Sequence, residues 1–252
     1  MDERVAIVTG SSSGIGAEIA RRLGARGMTV ALVARRREQL EEVAGEIREA
    51  GGSALVVTAD LAEASAPAAV VEVVLAEAGR LDVIVNNAAH FELKLVEEWT
   101  AADLDAHLAV NIRAPYLLVQ AALPALEQSP AAVVVNISSA AAAMYRPRQT
   151  VYGLTKAALE HMTKNLAAEL ARRRIRVNAI RPGPVDTPLH RAVPDPEERI
   201  RRLGAMVPLG RVGRPEEIAL WVEHIVDPAA EWVTGAVFVI DGGRVLGPPE
   251  AL

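Results

Sequence analysis

Tyr152-Gly-Leu-Thr-Lys156 places a phenol and an ammonium four residues apart. On a helix that spacing puts both side chains on one face. The pair suits proton transfer. A free phenol ionises near pH ~10, and a positive charge ~4 Å away at an effective dielectric of ~20 is worth ~4 kcal/mol, or about 3 pKa units. Lys156 is therefore expected to bring Tyr152 near neutral pH, where a general acid or base works best. Ser139 ends the run Asn136-Ile-Ser-Ser139, shortly before Tyr152. Its hydroxyl is suited to hold a substrate oxygen.

A second cluster suits phosphate. The run Thr9-Gly10-Ser11-Ser12-Ser13-Gly14-Ile15-Gly16 sets three glycines between a strand-like and a helix-like segment. Such a turn needs positive φ and lets backbone approach a diphosphate, whose charge then faces the helix amides. An ordinary tight turn is the alternative. The place after the first strand, and the lack of a P-loop Lys-Ser/Thr pair, favour a dinucleotide. The second strand ends Val33-Ala34-Arg35-Arg36-Arg37, with no carboxylate to bind a ribose 2′-hydroxyl. Arg35 first, and Arg36 second, are expected to fork onto a 2′-phosphate. A solvated basic helix start is the other reading, since arginine far outnumbers lysine here. NADP(H) is thus the expected cofactor, with NAD(H) next. Asp60-Leu61 suits the adenine amino group, and Asn86-Asn87-Ala88-Ala89 would let the cofactor pass close by.

These residues need elements to position them. Short β-branched runs at 5–9, 29–33, 54–58, 83–85, 133–137, 175–180 and 236–240 read as strands. Amphipathic stretches at 15–26, 38–50, 70–78, 151–171 and from 215 to near 226 read as helices. Residues 101–126 read as one long helix, or two broken near Pro115. Strand–helix alternation predicts an α/β fold, a doubly wound parallel sheet (Rossmann-like) of about seven strands with helices on both faces. No linker divides the chain, so 1–252 is expected to be one dinucleotide-binding and catalytic domain. A Pro-rich segment around 182–212 is too long for a plain connection and is expected to act as a lid.

Composition narrows the function classes. Net charge is −5, and 51% of residues are hydrophobic. An acidic chain is a poor partner for nucleic acid or an anionic membrane. With no cysteine, thiol nucleophiles and thiolate metal sites are excluded. The five histidines lack ligand spacing, so no metal is expected. No apolar run is long enough to span a bilayer, and Asp2 and Glu3 do not open a signal peptide, so a cytoplasmic protein is expected.

In order and spacing these motifs are very specific, and from Val5 to Gly243 the chain resembles the short-chain dehydrogenase/reductase family in its short single-domain branch. The matching residues are Thr9-Gly10-x-x-x-Gly14-Ile15-Gly16, Asp60-Leu61, Asn86-Asn87-Ala88, Val110-Asn111, Ser139, Tyr152-x-x-x-Lys156, Pro182-Gly183 and Asp241-Gly242-Gly243. The resemblance implies that Tyr152 is the acid/base and that Ser139 orients the carbonyl. It implies that Lys156 binds the nicotinamide ribose and tunes Tyr152, and that Asn111 holds a relay water. In Pro182-Gly183-Pro184-Val185-Asp186-Thr187, Thr187 would bind the nicotinamide carboxamide, with Pro182, Gly183 and Val185 beside it. Ser12, Ser13, Gly14 and Ile15 would line the phosphates. Two positions depart from the common pattern: Ala89 replaces a usual glycine, and Ser13 stands where many NADP-preferring members carry Arg or Lys.

The resemblance further implies a small-molecule carbonyl or alcohol substrate and a homo-oligomer, tetramer or dimer, packed through 101–126 and 151–171. A 3-oxoacyl-carrier-protein reductase is the nearest alternative, and a catalytically idle NADP-binding regulator is an alternative of another class. Met144, Tyr145 and His90 are the candidate substrate contacts, each weighed against plain packing. The Arg172-Arg173-Arg174 run is a candidate carrier-protein patch, against the alternative of cations at a helix end.

Overall fold

Every predicted strand forms and joins one parallel sheet. The computed structural model describes residues 4–191 and 194–247. In chain order its elements are β1 (Val5–Thr9), α1 (Gly14–Ala25), β2 (Thr29–Ala34), α2 (Arg37–Glu49), β3 (Ser53–Thr58), α3 (Ala66–Ala78) and β4 (Val83–Asn86). Then come α4 (Ala101–Leu108), α5 (Ala114–Leu126), β5 (Val133–Ile137), α6 (Thr150–Leu170) and β6 (Arg176–Pro182). The last are α7 (Pro188–Arg191), α8 (Pro196–Ala205), α9 (Pro215–Val226) and β7 (Val237–Ile240). The sheet runs β3-β2-β1-β4-β5-β6-β7, parallel throughout.

Side chains alternate across each strand, so both faces must be covered by helices. Ala6 and Val8 of β1 pack with Ala17, Ile19, Leu23 of α1, Leu40 and Ile47 of α2, and Ile218 and Val222 of α9. Val5 and Ile7 face the other way, onto Val70 and Val74 of α3, Leu118 and Ala122 of α5, and Leu166 and Leu170 of α6. Each fully buried aliphatic side chain of this kind contributes ~1.5–3 kcal/mol of transfer free energy. Strand order reverses between β1 and β4, which opens a crevice beyond their carboxyl ends, where ligands of such sheets bind.

Two segments take forms that the sequence left open. The stretch 101–126 breaks before Pro115, through a π-helical turn at Ala109–Arg113 that carries Asn111. The segment 182–212 is not a plain loop. Its first residue closes β6, and it contains α7 and α8, while residues 192 and 193 lie outside the described residues. Asp195 caps α8 by accepting from the Glu198 N–H at 3.0 Å, and Pro196 opens its first turn.

Candidate active site

The carboxyl ends of the strands surround one cleft of about 690 Å³. Its walls include Gly10, Ser12, Ser13, Gly14 and Ile15, then Arg35 and Arg36, then Asp60 and Leu61. Asn87 and Ala88, Ser139, Tyr152 and Lys156, and Pro182, Gly183, Val185 and Thr187 continue it. Of the predicted cofactor residues only Gly16 stands just behind the wall.

The turn after β1 is held from β4. Asn87 Nδ2 donates to the Thr9 and Gly10 carbonyls at 2.9 and 3.2 Å, and the Thr9 hydroxyl accepts the Asn87 and Ala88 amides at 3.0 Å each. Gly10 adopts φ +66°, which disfavours any side chain. Gly16 is required by space, since a Cβ there would lie 2.4 Å from Asn87 Nδ2 and from the Gly10 carbonyl oxygen. Ser13 precedes α1 with extended backbone and no side-chain cap bond, so the first amides of the helix face the cleft unclaimed by that residue. Such an end favours an anion. Arg36 Nη2 reaches across to the Ser12 and Ser13 hydroxyls at 3.0 and 3.4 Å. Arg35 is exposed on the same wall. Asp60 also lines the cleft, with one carboxylate oxygen accepting the Ala62 amide at 3.0 Å.

At the other end stand the reactive groups. Ser139 lies just past β5, and its Oγ accepts the Ala141 amide at 3.2 Å on the same stretch of wall as the Tyr152 phenol. Lys156 is 2% exposed, and its Nζ donates to the Ile137 carbonyl at 2.8 Å. That ammonium stands 5.7 Å from the centre of the Tyr152 ring. The expected lowering of the phenol pKa is therefore absent in the free protein. Burial pushes Tyr152 up to about 12, and the Ser139 hydroxyl only partly opposes it. Burial also pulls Lys156 down to about 8, against the attraction of Glu160. Desolvation outweighs the pairwise attraction here because the ammonium is turned toward a carbonyl.

Asn111 is fully buried and outside the cleft wall. Its Oδ1 accepts the His90 amide at 2.7 Å, and its Nδ2 donates to the His90 carbonyl at 3.0 Å and to Thr155 Oγ1 at 2.9 Å. Thr155 Oγ1 donates in turn to the Tyr152 carbonyl at 2.8 Å. Both amide hydrogens are thus committed to protein, which leaves the side chain no donor for the expected relay water.

Among the substrate candidates, Met144 and His90 line the cleft. Tyr145 does not. It is 99% exposed, because the irregular turn before α6 aims it outward, and Arg146 takes the wall beside Met144. Phe91, unremarked in the sequence, packs edge to face on Tyr152 with centroids 4.8 Å apart. Glu160 was also unremarked. It accepts from Ser138 Oγ at 2.7 Å and binds Arg181 through both oxygens at 2.8 and 2.6 Å, under the Lys156 turn of α6. Its spacing from Lys156 on one helix face was the available signal.

The family model described as enoyl-(acyl carrier protein) reductase matches residues 10–244. A 7alpha-hydroxysteroid dehydrogenase of Clostridium sardiniense is 35% identical over 99% of this chain and 96% of its own. The chain belongs to the short-chain dehydrogenase/reductase family. A 3-oxoacyl-(acyl-carrier-protein) reductase of Thermotoga maritima is 33% identical over 98% of this chain and 99% of its own. The solved structure of a 7α-hydroxysteroid dehydrogenase complexed with NADH and 7-oxo glycochenodeoxycholic acid superposes with a TM-score of 0.91 at 31% identity, covering 96% of this chain and 94% of that one. This short-chain dehydrogenase/reductase is accordingly an oxidoreductase acting on hydroxyl or keto groups of small molecules with a nicotinamide cofactor. Among the described residues no helix is long and apolar enough to cross a membrane.

Proposed function

We propose that the protein is an NADP(H)-dependent oxidoreductase that moves a hydride between the nicotinamide and a ketone or secondary alcohol, with Tyr152 as proton donor or acceptor. One observation carries the reading: Ser139, Tyr152 and Lys156 share a cleft with the glycine turn that Arg36 overhangs.

The donor set fits a dinucleotide. Amides at the start of α1, with Ser12 and Ser13, would hold the diphosphate. Arg35 and Arg36 would hold a 2′-phosphate, and Arg36, in the turn between β2 and α2, supplies the cation that Ser13 lacks. Asp60 and Leu61 would border the adenine, and Asn87 and Ala88 the ribose. Pro182, Gly183, Val185 and Thr187 would border the nicotinamide. When bound, the cofactor supplies or accepts the hydride. Ser139 holds the substrate oxygen, and Tyr152 donates its proton to that oxygen during reduction. A phenol kept protonated by burial is ready for that direction. Lys156 provides the positive charge that offsets a forming phenolate. Asn111 fixes the wall at His90, and α7 and α8 form a lid that excludes water.

NADP(H) over NAD(H) rests on the two arginines and the missing carboxylate. A dimer or tetramer in the cytoplasm completes the reading, supported by the exposure of Leu104, Leu108, Tyr116 and Leu154 on α4 to α6. The 3-oxoacyl-carrier-protein reductase alternative has the Thermotoga relative in its favour. Its carrier patch lacks support, because Arg172–Arg174 precede β6 at the edge of the sheet opposite the cleft, where Arg173 pairs with Glu127 at 2.7 Å. The idle regulator has no need of the Ser139, Tyr152 and Lys156 set.

The test is NADPH consumption with a panel of ketones and acyl thioesters. Tyr152→Phe is expected to abolish turnover and keep cofactor binding. Catalytic efficiency with NADPH should exceed that with NADH by about tenfold or more, about 1.4 kcal/mol, and Arg35→Asp or Arg36→Asp should reverse the preference. Tight NADPH binding with no turnover of any substrate would favour the regulator.

A further inference from the structure

Most arginines around the lid have carboxylate partners. Arg191 binds Asp186 and Glu197, Arg201 and Arg202 bind Glu198, and Arg211 and Arg214 bind Glu217. Three others, two on the wall of the substrate half of the cleft and one behind it, have none among the described residues. Arg146, half-buried between Met144 and Tyr152, lines the cleft. Arg244, just beyond β7, is 9% exposed and lines it too, its guanidinium reaching the Met206 sulfur at 3.9 Å and, among the described residues, no carboxylate. Arg199 of α8 keeps a buried Nε with no hydrogen-bond partner. Beside them His190 lines the cleft with its Nδ1 buried and unpartnered. Among the described residues none of these three arginines forms an ion pair with a carboxylate.

They lie close enough to feel one another. Burial lowers the Arg146 pKa, and the charges of Arg244 and Arg199 lower it further. Burial, then Arg199 and Arg146, pull His190 down to about 4, so it is neutral at physiological pH. Desolvated like charges without counter-charges destabilise a fold. A chain with 32 acidic residues against 27 basic ones has no shortage of partners. The arrangement makes sense where a ligand brings the missing charge. The cofactor phosphates do not serve, because their cradle is the glycine turn with Arg35 and Arg36 at the other end of the cleft. Guanidinium forks match a carboxylate in two-point geometry. Met144, Leu189 and Leu203, on the same walls, offer an apolar bed for the carbon skeleton.

We propose that Arg146, Arg199 and Arg244 form an anion subsite, and that the substrate is an oxo acid or hydroxy acid whose carboxylate lies away from the reacting carbon. This rests on the oxidoreductase reading above. It supplies the substrate feature that the catalytic residues alone leave open.

The probes are 4-oxocyclohexanecarboxylate and 4-oxopentanoate, each beside its methyl ester. Calorimetric titration into the protein–NADP+ complex measures affinity without turnover. The acids should bind at least about tenfold more tightly than the esters. In Arg146→Met and Arg244→Met that ratio should fall toward one, while Arg202→Gln, on the lid but paired with Glu198, should keep it. The melting temperature of the free protein gives an independent reading. It should rise in Arg146→Met, which removes a desolvated charge, and the acids should raise it in the wild type and Arg202→Gln but not in Arg146→Met or Arg244→Met. Equal affinity for acid and ester, no binding of the acids, or a ratio that survives both arginine variants would overturn the subsite. NADPH oxidation with the same probes separates the two readings. Tight acid binding with no turnover leaves the subsite standing and counts against the redox reading. Turnover with equal affinities does the reverse.

Discussion

The Lys156 ammonium is turned toward the Ile137 carbonyl at 2.8 Å and stands 5.7 Å from the centre of the Tyr152 ring. In the free protein it therefore does little to ionise the phenol, which burial holds at about 12. Ionisation near neutral pH requires a second positive charge in the dry cleft, and the oxidised nicotinamide ring carries one.

A difference titration of phenolate absorbance between the wild type and Tyr152→Phe tests this directly. Tyr116 and Tyr145 are common to both proteins and cancel. Without cofactor the Tyr152 signal should appear only near pH 12. With saturating NADP+ it should move down by about 2 units or more. A signal already near neutral pH in the free protein would show that Lys156 alone sets the phenol.

Lys156 itself is a stability cost at neutral pH. Its folded pKa of about 8 lies below the unfolded value of 10.5, so folding disfavours the ammonium form. The penalty is fully present below pH 8, and it fades as pH rises toward 10.5, where both states lose the proton. Lys156→Met should thus stabilise the cofactor-free protein by about 1–2 kcal/mol near pH 7, after loss of the Ile137 hydrogen bond. Urea unfolding between pH 6 and pH 10 (roughly the span of the two pKa values) should show the two proteins converge as pH rises.

How much of this was legible beforehand varied with the kind of signal. Buried parallel strands are continuous apolar runs, so Val133–Ile137 could be read without its neighbours. The four-residue spacing placed Tyr152 and Lys156 on one helix face, but the direction of their pKa shifts depends on desolvation, which spacing does not carry. Helix α8 announced itself through Asp195, Pro196 and two glutamates, yet the density of prolines between 182 and 208 suggested loop. The π turn at Asn111 has no periodic signature, because it is held by His90 and Thr155 from other parts of the chain. Tyr145 was placed on the pocket wall by position alone, and an irregular turn has no period from which to derive where a side chain points. Glu160 and Arg181 meet only because β6 lies beside α6.

The Asn111 bonds give another expectation. Asn111→Leu keeps the size but leaves the His90 amide and carbonyl without partners inside the protein. Each unsatisfied buried group costs ~1–3 kcal/mol, so a loss of about 2–4 kcal/mol in unfolding free energy is expected. The wall at His90 and Phe91 should loosen with it. Amide hydrogen exchange at His90 should then accelerate sharply, and kcat should fall while affinity for NADPH changes little. Unchanged exchange at His90 would show that the wall is held by other means.

Gly16 offers the sharpest test of the nucleotide end. A methyl group there would sit 2.4 Å from both Asn87 Nδ2 and the Gly10 carbonyl oxygen, and neither is the tip of a flexible side chain free to swing away. Asn87 is anchored on the Thr9 and Gly10 carbonyls, and displacing it would also disturb the Thr9 hydroxyl bonds to Asn87 and Ala88. Gly16→Ala is therefore expected to destabilise the protein by about 1–3 kcal/mol, as overpacking does, and to open the cradle at the start of α1. Gly45→Ala is the control, because a Cβ at that helical position meets nothing within 4 Å and alanine is the better helix former. NADPH titration followed by fluorescence should show affinity lowered more than about tenfold in Gly16→Ala and unchanged in Gly45→Ala. Equal affinities would mean that the phosphates are held by side chains, and that the backbone of the turn is not their cradle.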